Sequence, residues 1–426
     1  MNNHTTLIGQ LKRKLLNFSE KLVEGLGRPM QKFVVQMLYG LTAGQSIMLS
    51  DVSRALQEDI PLIKTENRLS RNLKAFSQDV SCVWLNYLEE VKAYVDGETI
   101  FCLDPGDICK KHSRAQEGLD WIEDGSTHKP ALGWNLIGVT ALTHRKKLPI
   151  PIYNEVIAPD DAMEDNVTEG IISALRFIQR TFGGPTGIVT MDRGMDTNEI
   201  YGYCLGAKQR FIIRAKVNRN LIVGGETVSI ADAAGRVKGR YRMDFTDKHG
   251  NGYKLKASFV PVSLPECPDK PLALVVVYGY EEGKPMLLLT NLPILGKNTC
   301  LRVLKTYLCR WRIEECYRFQ KNQFKLENIR VRSLASIRAL VFLQTVVAGL
   351  VAMLGNKEGE SALVGEVLAH ALRLHEIPDF NLYAVADGIH NIMQHATRGI
   401  SSAFSRPPRS RQMSFFKSGA FSHSAA

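Results

Sequence analysis

The pattern of apolar and polar residues changes period near residue 97. Before that point, apolar residues recur at helical spacing, as in residues 31–41, and Ser50 and Thr65 stand where helix N-caps are expected. After it, short apolar runs end in turn-forming residues. The runs that predict strands are 99–103, 134–142, 151–158, 187–191 and 210–217, with a predicted helix at 165–181. The chain should therefore begin with helices and continue as a mixed α/β sheet.

The alternation of strands and helices stops at about residue 219. Up to residue 298, three β-prone runs are separated by Gly, Asn and Pro turns, which predicts an antiparallel β insertion. The runs are 255–262, 272–278 and 286–289, and His249 begins a turn of sequence HGNG before the first of them. Further helices are expected as far as residue 398, and the Ser-, Arg- and Pro-rich tail is expected to be disordered.

One apolar segment, 339–355, is about as long as the shortest membrane-spanning helices. Gln344 interrupts it, and basic residues lie on its N-terminal side only. We therefore expect a helix buried behind the sheet and no membrane partner. The N-terminus lacks the apolar core of a signal peptide, and eight scattered cysteines without a C-x2-C pair fit a reducing cytoplasm and argue against a zinc finger.

The stretch 301–330 predicts a helix with an unusual charge distribution. At about 100° per residue, six of its side chains fall within an arc of roughly 80°: Tyr307, Arg310, Glu314, Arg318, Lys321 and Lys325. Ten basic and three acidic residues lie between Arg302 and Arg338, so most of the net charge of +11 is concentrated here. Such a surface suits a polyanion, and a salt-bridged, solvated helical face is the alternative interpretation.

Four of these residues have the spacing Y-x2-R-x3-E-x6-K: Tyr307, Arg310, Glu314 and Lys321. This pattern resembles the signature of DDE transposases of the insertion sequence 4 family. The resemblance implies an α/β fold, an RNase H-like mixed sheet with an antiparallel β insertion and an N-terminal helical DNA-binding domain. The expected domains are 1–90 (helical, DNA-binding), 91–218 (first part of the catalytic core), 219–298 (β insertion), 299–398 (signature helix and C-terminal helices of the core) and 399–426 (disordered tail).

In that family the signature glutamate, here Glu314, is the last of three metal-binding carboxylates. Two aspartates at predicted strand ends complete the set, since Asp104 follows residues 99–103 and Asp192 follows residues 187–191. Hard ions such as Mg²⁺ are held by carboxylate oxygens. We therefore predict that Asp104, Asp192 and Glu314 are the catalytic residues and the ligands of two Mg²⁺ ions, for which Mn²⁺ would substitute.

Each of these assignments has a rival. In chain order, the rivals are Asp107 for Asp104, a helix-capping role for Asp192, and Glu315 for Glu314. Residues 192–196, DRGMD, resemble the D-R-E-A-D motif of the family, which favours Asp192 as the ligand. Asp196 is then expected to cap the following helix.

The remaining basic and aromatic residues of the motifs should contact double-stranded DNA. In the N-terminal region, a short link between two helices gives a helix-turn-helix-like pattern, for which a small helical bundle is the alternative. The residues predicted to bind DNA are Tyr307, Arg310, Lys321, Arg193, Arg318 and Lys325 and, in the N-terminal helices, Arg68, Arg71 and Lys74.

The β insertion departs from relatives that form a DNA hairpin, which are thought to stack a flipped base on an aromatic residue, often a tryptophan. Residues 219–298 contain no tryptophan. Any aromatic face can stack a base, so the substitutes are Tyr241, Phe245, Tyr253, Tyr278 or Tyr280. The excision route is therefore left open.

Together these patterns predict a DNA transposase that binds terminal inverted repeats, cleaves the element ends and transfers the 3′-hydroxyl to target DNA. The resemblance also implies a homodimer on paired ends. Two alternatives are an RNase H-like nuclease without strand transfer and a catalytically silent DNA-binding protein derived from a transposase. The three intact carboxylates count against the second.

Overall fold

The computed structural model describes residues 2–143, 148–158, 167–184, 186–247, 250–356, 361–372 and 381–400, so the predicted tail falls outside them from residue 401 onward. The chain begins with five helices: α1 (Asn2–Leu22), α2 (Arg28–Gly44), α3 (Leu49–Leu56), α4 (Leu62–Phe76) and α5 (Val80–Lys92). The two expected N-caps are wrong, because α3 begins after Met48 and α4 after Pro61. Thr65 lies inside α4, where its hydroxyl donates to Glu58 at 2.9 Å.

The core sheet follows these helices. Its elements are β1 (Ile100–Cys109), β2 (Asp120–Asp124), β3 (Lys129–Leu142), β4 (Pro149–Ile157), α6 (Val167–Phe182), β5 (Ile188–Met191), α7 (Asn198–Gly206) and β6 (Phe211–Arg214). The central order is β4, β3, β1, β5, β6, in which β3 is antiparallel to β4 and β1, and β5 is parallel to β1 and β6. β2, which the sequence did not predict, pairs with the outer part of β3. The predicted α/β fold class with a mixed sheet is confirmed.

The β insertion extends the same sheet. It consists of β7 (Asn220–Val223), β8 (Glu226–Ser229), α8 (Ile230–Gly235), β9 (Tyr241–Thr246), β10 (Gly252–Leu264), β11 (Cys267–Glu281) and β12 (Lys284–Thr290). Its strands are antiparallel, as predicted, and β12 pairs with β6 of the core, so that one sheet of 12 strands results. The sequence did not indicate this continuity, and His249 of the predicted turn lies outside the described residues.

The predicted helix 301–330 is two helices. α9 (Lys297–Leu308) and α10 (Trp311–Gln323) meet at Cys309 and Arg310, and a 3₁₀ turn at Leu326–Asn328 follows. At the junction the amides of Arg310 and Ile313 donate to carbonyls three residues earlier, at 2.9 and 3.1 Å, so the chain winds more tightly there. The prediction of one continuous stripe of side chains is therefore wrong.

The last helices are α11 (Leu334–Asn356), α12 (Ser361–Ala369) and α13 (Leu382–Gln394). Among the described residues, α11 is the one helix long and apolar enough to cross a membrane, and 89% of its most apolar window is buried inside the protein. It packs against β4, α2 and α4. The prediction of a helix buried behind the sheet is confirmed.

The N-terminal helices share one hydrophobic core with α11, α13 and the sheet. Polar contacts join the same parts: the Ile47 amide donates to the carbonyl of Phe324 at 2.8 Å, and the Tyr87 hydroxyl donates to the carbonyl of Pro151 at 2.7 Å. The division into domains stays a prediction. Because these contacts tie the first 90 residues to the core, experiments on the site should keep the whole chain.

Candidate functional site

Asp104 lies in the middle of β1 rather than at its end. The strand continues to Cys109, and Asp104 pairs with Gly138 of β3, so the predicted turn after residue 103 is wrong. Parallel pairing with β5, however, ends at Cys102 and Thr190. Asp104 therefore stands two residues beyond the last parallel pair, at the edge where β5 also ends.

Asp192 directly follows β5, as predicted from the sequence. A tyrosine of α9 reaches it, since the Tyr307 hydroxyl donates to Asp192 Oδ1 at 3.2 Å. Tyr307 is buried, with 5% of its surface exposed, and its predicted contact with DNA stays a prediction. Burial raises the pKa of Tyr307, and the nearby Asp192 raises it further, which keeps the hydroxyl a donor.

Arg310 joins the other two predicted carboxylates. Its Nη1 lies 3.3 Å from Asp104 Oδ2, and its Nη2 lies 2.6 Å from Glu314 Oε1. The guanidinium is mostly buried, whereas 40% of the Glu314 side chain is exposed. The buried Arg310 thus lies between a strand carboxylate, Asp104, and a helix carboxylate, Glu314, that is open to solvent. Arg310 and Glu314 follow Asp104 by 206 and 210 positions in the chain, so the fold brings distant residues together.

The three carboxylates influence one another. The pKa of Asp104 is raised to about 7, chiefly by burial; Glu314 and Asp192 also act to raise it, and Arg310 acts to lower it. At Asp192 burial also acts to raise the pKa, but Arg310 and the backbone amide of Arg193 outweigh it and the pKa is lowered. Asp104 is therefore hard to ionise unless another cation joins Arg310.

This donor set fits divalent ions of the hard type. Asp104 and Glu314 turn oxygens toward the same guanidinium, and Asp192 is close enough to change the pKa of Asp104. Carboxylate oxygens, completed by water and substrate phosphate, are what Mg²⁺ and Mn²⁺ prefer. The chemistry of these donors suits metal-assisted cleavage of a phosphodiester. Among the described residues, Asp104, Asp192 and Glu314 do not form a group whose ligand atoms all lie within 4.8 Å of one another.

Two further residues lie beside this site: Arg214, which the sequence did not single out, and Tyr280, which was proposed only as a base-stacking residue. Arg214, at the end of β6, pairs with Glu281 of β11. Burial acts to lower the pKa of Arg214, but the hydrogen bond with Glu281 and the nearby Tyr307 and Asp192 outweigh it, and the pKa is raised. Tyr280, beside Glu281, has a pKa raised first by burial and then by Glu314. Its position at the end of the strand next to β5 could have identified Arg214 from the sequence.

An aromatic group of the insertion surrounds Tyr280. Its ring centroid lies 5.4 Å from that of Tyr253 and 6.5 Å from that of Phe245. The structure thus brings together three of the five aromatic residues proposed for base stacking. Tyr278 instead donates its hydroxyl to the carbonyl of Val237 at 2.7 Å.

Further along α10, Lys321 and Arg318 have acidic partners. Lys321 Nζ lies 2.6 Å from Asp107 and 3.2 Å from Glu327, and Arg318 pairs with Glu315 at 2.7 Å. Glu315, the rival for Glu314, is buried with 1% of its surface exposed. Lys325 is exposed in a left-handed conformation after the helix ends. These cations therefore do not form one open surface.

Asp107, the rival for Asp104, belongs to a separate buried group. Asp107, Cys109 and Asp124 bring their ligand atoms within 4.8 Å of one another. Lys321 pairs with Asp107, and Lys111 pairs with Asp124 at 3.0 Å. Burial raises the pKa of the Cys109 thiol to about 12, whereas a hydrogen bond from the Ser126 amide is the main cause that lowers the pKa of Asp124 to about 2. In the sequence, Cys109 is one of several scattered cysteines, and its spacing gave no sign of this group.

Asp196 does not cap α7, contrary to prediction. Thr197 takes that place, and its side chain accepts from the Ile200 amide. Asp196 is buried and pairs with Arg219 Nε at 2.6 Å, while its other oxygen accepts from the Lys216 amide. The second aspartate of the motif therefore ties the turn after Asp192 to the start of the insertion.

The comparisons with known proteins bear on this site. Residues 151–350, a little under half of the chain, match the family model described as transposase DDE domain. This match supports a DDE transposase. It includes Asp192, Arg310 and Glu314 and begins after Asp104. A similar solved structure is the cryo-EM structure of a piggyBac transposase synaptic complex with hairpin DNA, 11% identical, with a TM-score of 0.43 over 93% of this chain and 83% of that chain. The comparison with curated proteins gave no match.

The other residues predicted to touch DNA lie in two places. Arg193 is exposed, directly after Asp192. In α4, Arg71 and Lys74 are exposed, whereas Arg68 turns back to Glu58, with Nη2 at 2.8 Å from its carboxylate. Their contacts with DNA stay predictions.

Proposed function

We propose that the protein is a DNA transposase of the kind found in the insertion sequence 4 family. The observation that carries this proposal is the convergence of Asp104 and Glu314 on Arg310, beside Asp192, in a chain whose matched stretch is a transposase DDE domain. The proposed reaction is cleavage at the ends of the element, followed by transfer of the freed 3′-hydroxyl to target DNA.

Asp104, Asp192 and Glu314 would hold two Mg²⁺ ions, or Mn²⁺ in their place. Bound there, the ions supply charge neutralisation at the attacking and leaving oxygens of the phosphodiester. The chain's own residues do the rest. Tyr307 orients Asp192 by donating to Oδ1. Arg310 places both of its terminal guanidinium nitrogens between Asp104 and Glu314, where they could also bind two oxygens of one phosphate.

DNA would approach over the exposed cations near the site and on α4. The residues that remain exposed in the structure are Arg71, Lys74, Arg193, Arg318 and Lys325. From these exposed residues we infer that α4 reads the terminal inverted repeats and that Arg193 and Lys325 bind the DNA backbone near the cleavage point. A homodimer on paired ends belongs to the same proposal.

The deciding experiment uses the full chain and a duplex that carries the inverted repeats flanking the coding sequence. Glu314→Gln should abolish Mg²⁺-dependent nicking and leave DNA binding intact, because the change removes one charge without changing shape. Glu315→Gln, its buried neighbour, is the control and should keep nicking wherever the protein folds. If Glu314→Gln still nicks DNA at the rate of the parent protein, Glu314 is not a catalytic metal ligand.

Strand transfer separates the transposase from the nuclease alternative. The parent protein is given a precleaved end with a free 3′-hydroxyl together with a supercoiled plasmid. Joined products are expected from a transposase. Nicked plasmid without joined product would favour the RNase H-like nuclease.

A further inference from the structure

One tyrosine of α10 forms a hydrogen bond with β1, the strand that carries Asp104. Tyr317 lies one helical turn after Glu314 in α10, and its hydroxyl donates to the main-chain carbonyl of Asp104 at 2.6 Å. Burial is the first cause that raises the pKa of Tyr317 well above its usual value, so the hydroxyl stays a proton donor. The helix that carries one carboxylate is thus hydrogen-bonded to the residue that carries another.

Two glycines make room for this ring. Gly138 is the direct partner of Asp104 across β3, and Gly106 lies two residues further along β1. A Cβ on Gly138 would lie 2.2 Å from the Tyr317 hydroxyl oxygen, and one on Gly106 would lie 3.1 Å from its ring. Neither glycine has a positive φ, so their use here is close approach rather than unusual backbone conformation. The ring therefore lies in a groove formed by two missing side chains.

The groove and the hydrogen bond together fix how near α10 comes to β1. Arg310, at the start of α10, lies between Asp104 and Glu314. A shift of α10 relative to β1 would therefore change the distance between the Asp104 and Glu314 carboxylates. Metal sites respond strongly to such shifts, because groups behind the ligands set the ligand geometry. The Tyr317 hydroxyl donates to the Asp104 backbone rather than to a carboxylate oxygen, and the ring lies against Gly106 and Gly138.

We propose that Tyr317 is a positioning residue, seated on Gly106 and Gly138, that sets the separation of the Asp104 and Glu314 carboxylates and thereby the metal affinity of the site. The inference rests on the proposed role of those carboxylates as ligands. It adds to that role a residue outside the Y-x2-R-x3-E-x6-K pattern, and it gives a reason for glycine at two strand positions.

The test is Tyr317→Phe in the full chain, with Mn²⁺ binding to the DNA-free protein measured by electron paramagnetic resonance. The ring and the groove are kept, and only the hydrogen bond is lost. We expect Mn²⁺ to bind about tenfold more weakly, the lower end of the effect of such supporting groups on metal affinity. Half-maximal nicking should need correspondingly more metal, and the rate at saturating Mn²⁺ should approach that of the parent.

Tyr87→Phe is the matched control. Tyr87, which is fully buried where Tyr317 is partly buried, also donates to a main-chain carbonyl, that of Pro151 at 2.7 Å, and also lies against a glycine, Gly349. A purely structural role would lower the unfolding temperature in both variants and leave Mn²⁺ affinity unchanged in both. Equal Mn²⁺ affinity in Tyr317→Phe and Tyr87→Phe would overturn the proposal.

Gly106→Ala covers the case in which Tyr317→Phe does not fold. Its new methyl group would press on the ring by a few tenths of an ångström, so it should also weaken Mn²⁺ binding; unchanged binding would overturn the proposal. Asp104→Asn separates this inference from the function it rests on. If Asp104→Asn leaves Mn²⁺ binding and nicking intact, the proposed function fails. If it removes both while Tyr317→Phe behaves like Tyr87→Phe, the positioning role alone fails.

Discussion

Acidic residues lie near both ends of α10, but their charges are compensated to different degrees. At the start of the helix, Arg310 is shared by Asp104 and Glu314, and the pKa of Asp104 is raised to about 7, chiefly by burial. At its far end, Lys321 faces Asp107 and Lys111 faces Asp124, whose pKa is lowered to about 2, chiefly by the Ser126 amide. The charge of Asp104 is therefore poorly compensated at the first end, and that of Asp124 is well compensated at the second.

If the proposed function is right, the first end is the one that gains more from an additional cation. A carboxylate that burial keeps protonated, as at Asp104, becomes easier to ionise when a divalent ion arrives. Carboxylates that already have lysine and amide partners gain much less. The pairing of charges, more than the number of acidic residues, therefore distinguishes the candidate catalytic site from the buried Asp107, Cys109 and Asp124 group.

The largest expected effect compares one aspartate from each end. Asp104→Asn should lower the rate of Mg²⁺-dependent nicking by about 10³-fold or more, because one ligand charge of the shared site is lost. Asp107→Asn should lower it less than about tenfold. Single-turnover nicking of an element end measures both. The reverse ranking would transfer the catalytic role to Asp107.

Stability against pH should also differ between the ends. A folded Asp104 with a pKa of about 7 binds more protons than the unfolded chain between pH 4 and 7. The unfolding free energy of the metal-free protein should thus fall as pH rises through this range, by roughly 4 kcal/mol from this group. Asp104→Asn should remove the fall and be more stable than the parent at pH 7.5. Chemical denaturation at several pH values in a chelator measures it.

Asp124 should show the opposite sign. Its lowered pKa means that its contribution to stability is present above the unfolded value near pH 4 and is lost as pH falls through about 2. Asp124→Asn should therefore destabilise the protein at neutral pH. An unchanged denaturation midpoint in this variant would show that the second end is not compensated as described.

The third comparison concerns the cations themselves. Arg310→Gln should tighten Mn²⁺ binding to the DNA-free protein, by about tenfold, because the guanidinium no longer competes for Asp104 and Glu314. Lys321→Gln should leave the affinity of that site unchanged. Titration calorimetry distinguishes them. If Lys321→Gln binds one more Mn²⁺ equivalent than the parent protein, then the Asp107, Cys109 and Asp124 group also binds metal once the lysine is removed.

The smallest effect is on the salt dependence of DNA binding. Lys325 is exposed, so Lys325→Gln should lower the slope of log K against log salt by about one. Lys321 is held by Asp107 and Glu327, so Lys321→Gln should leave the slope unchanged. A slope lowered by about one in Lys321→Gln would restore the phosphate contact predicted from the sequence.

Local pattern was enough for much of the fold. An apolar run that ends in Asp192, the antiparallel insertion and the buried α11 were all visible as periodicity and turn chemistry. The spacing of Arg310 and Glu314 also identified a helix that the structure brings to Asp104. Such features depend on residues that are close in the chain.

The errors arose where distant residues decide the local structure. Asp104, Pro105 and Gly106 suggested a turn, yet β1 continues through them because all three pair with residues of β3 that come later in the chain. The stripe on residues 301–330 assumed one helical axis, and the break at Arg310 cannot be seen in a periodicity that is helical on both sides. Arg214 acquires its place only when β6, β11 and Asp192 have assembled.

The burial of α11 among the N-terminal helices has a consequence for biosynthesis. α2 and α4 leave the ribosome about 300 residues before the helix that covers their apolar faces. At usual elongation rates that interval is roughly 15–60 s. During it, residues such as Phe33, Leu38 and Phe76 have no native partner from α11 or α13. The nascent chain should depend on chaperones over this period, and full activity should appear only after the last third of the protein has been translated.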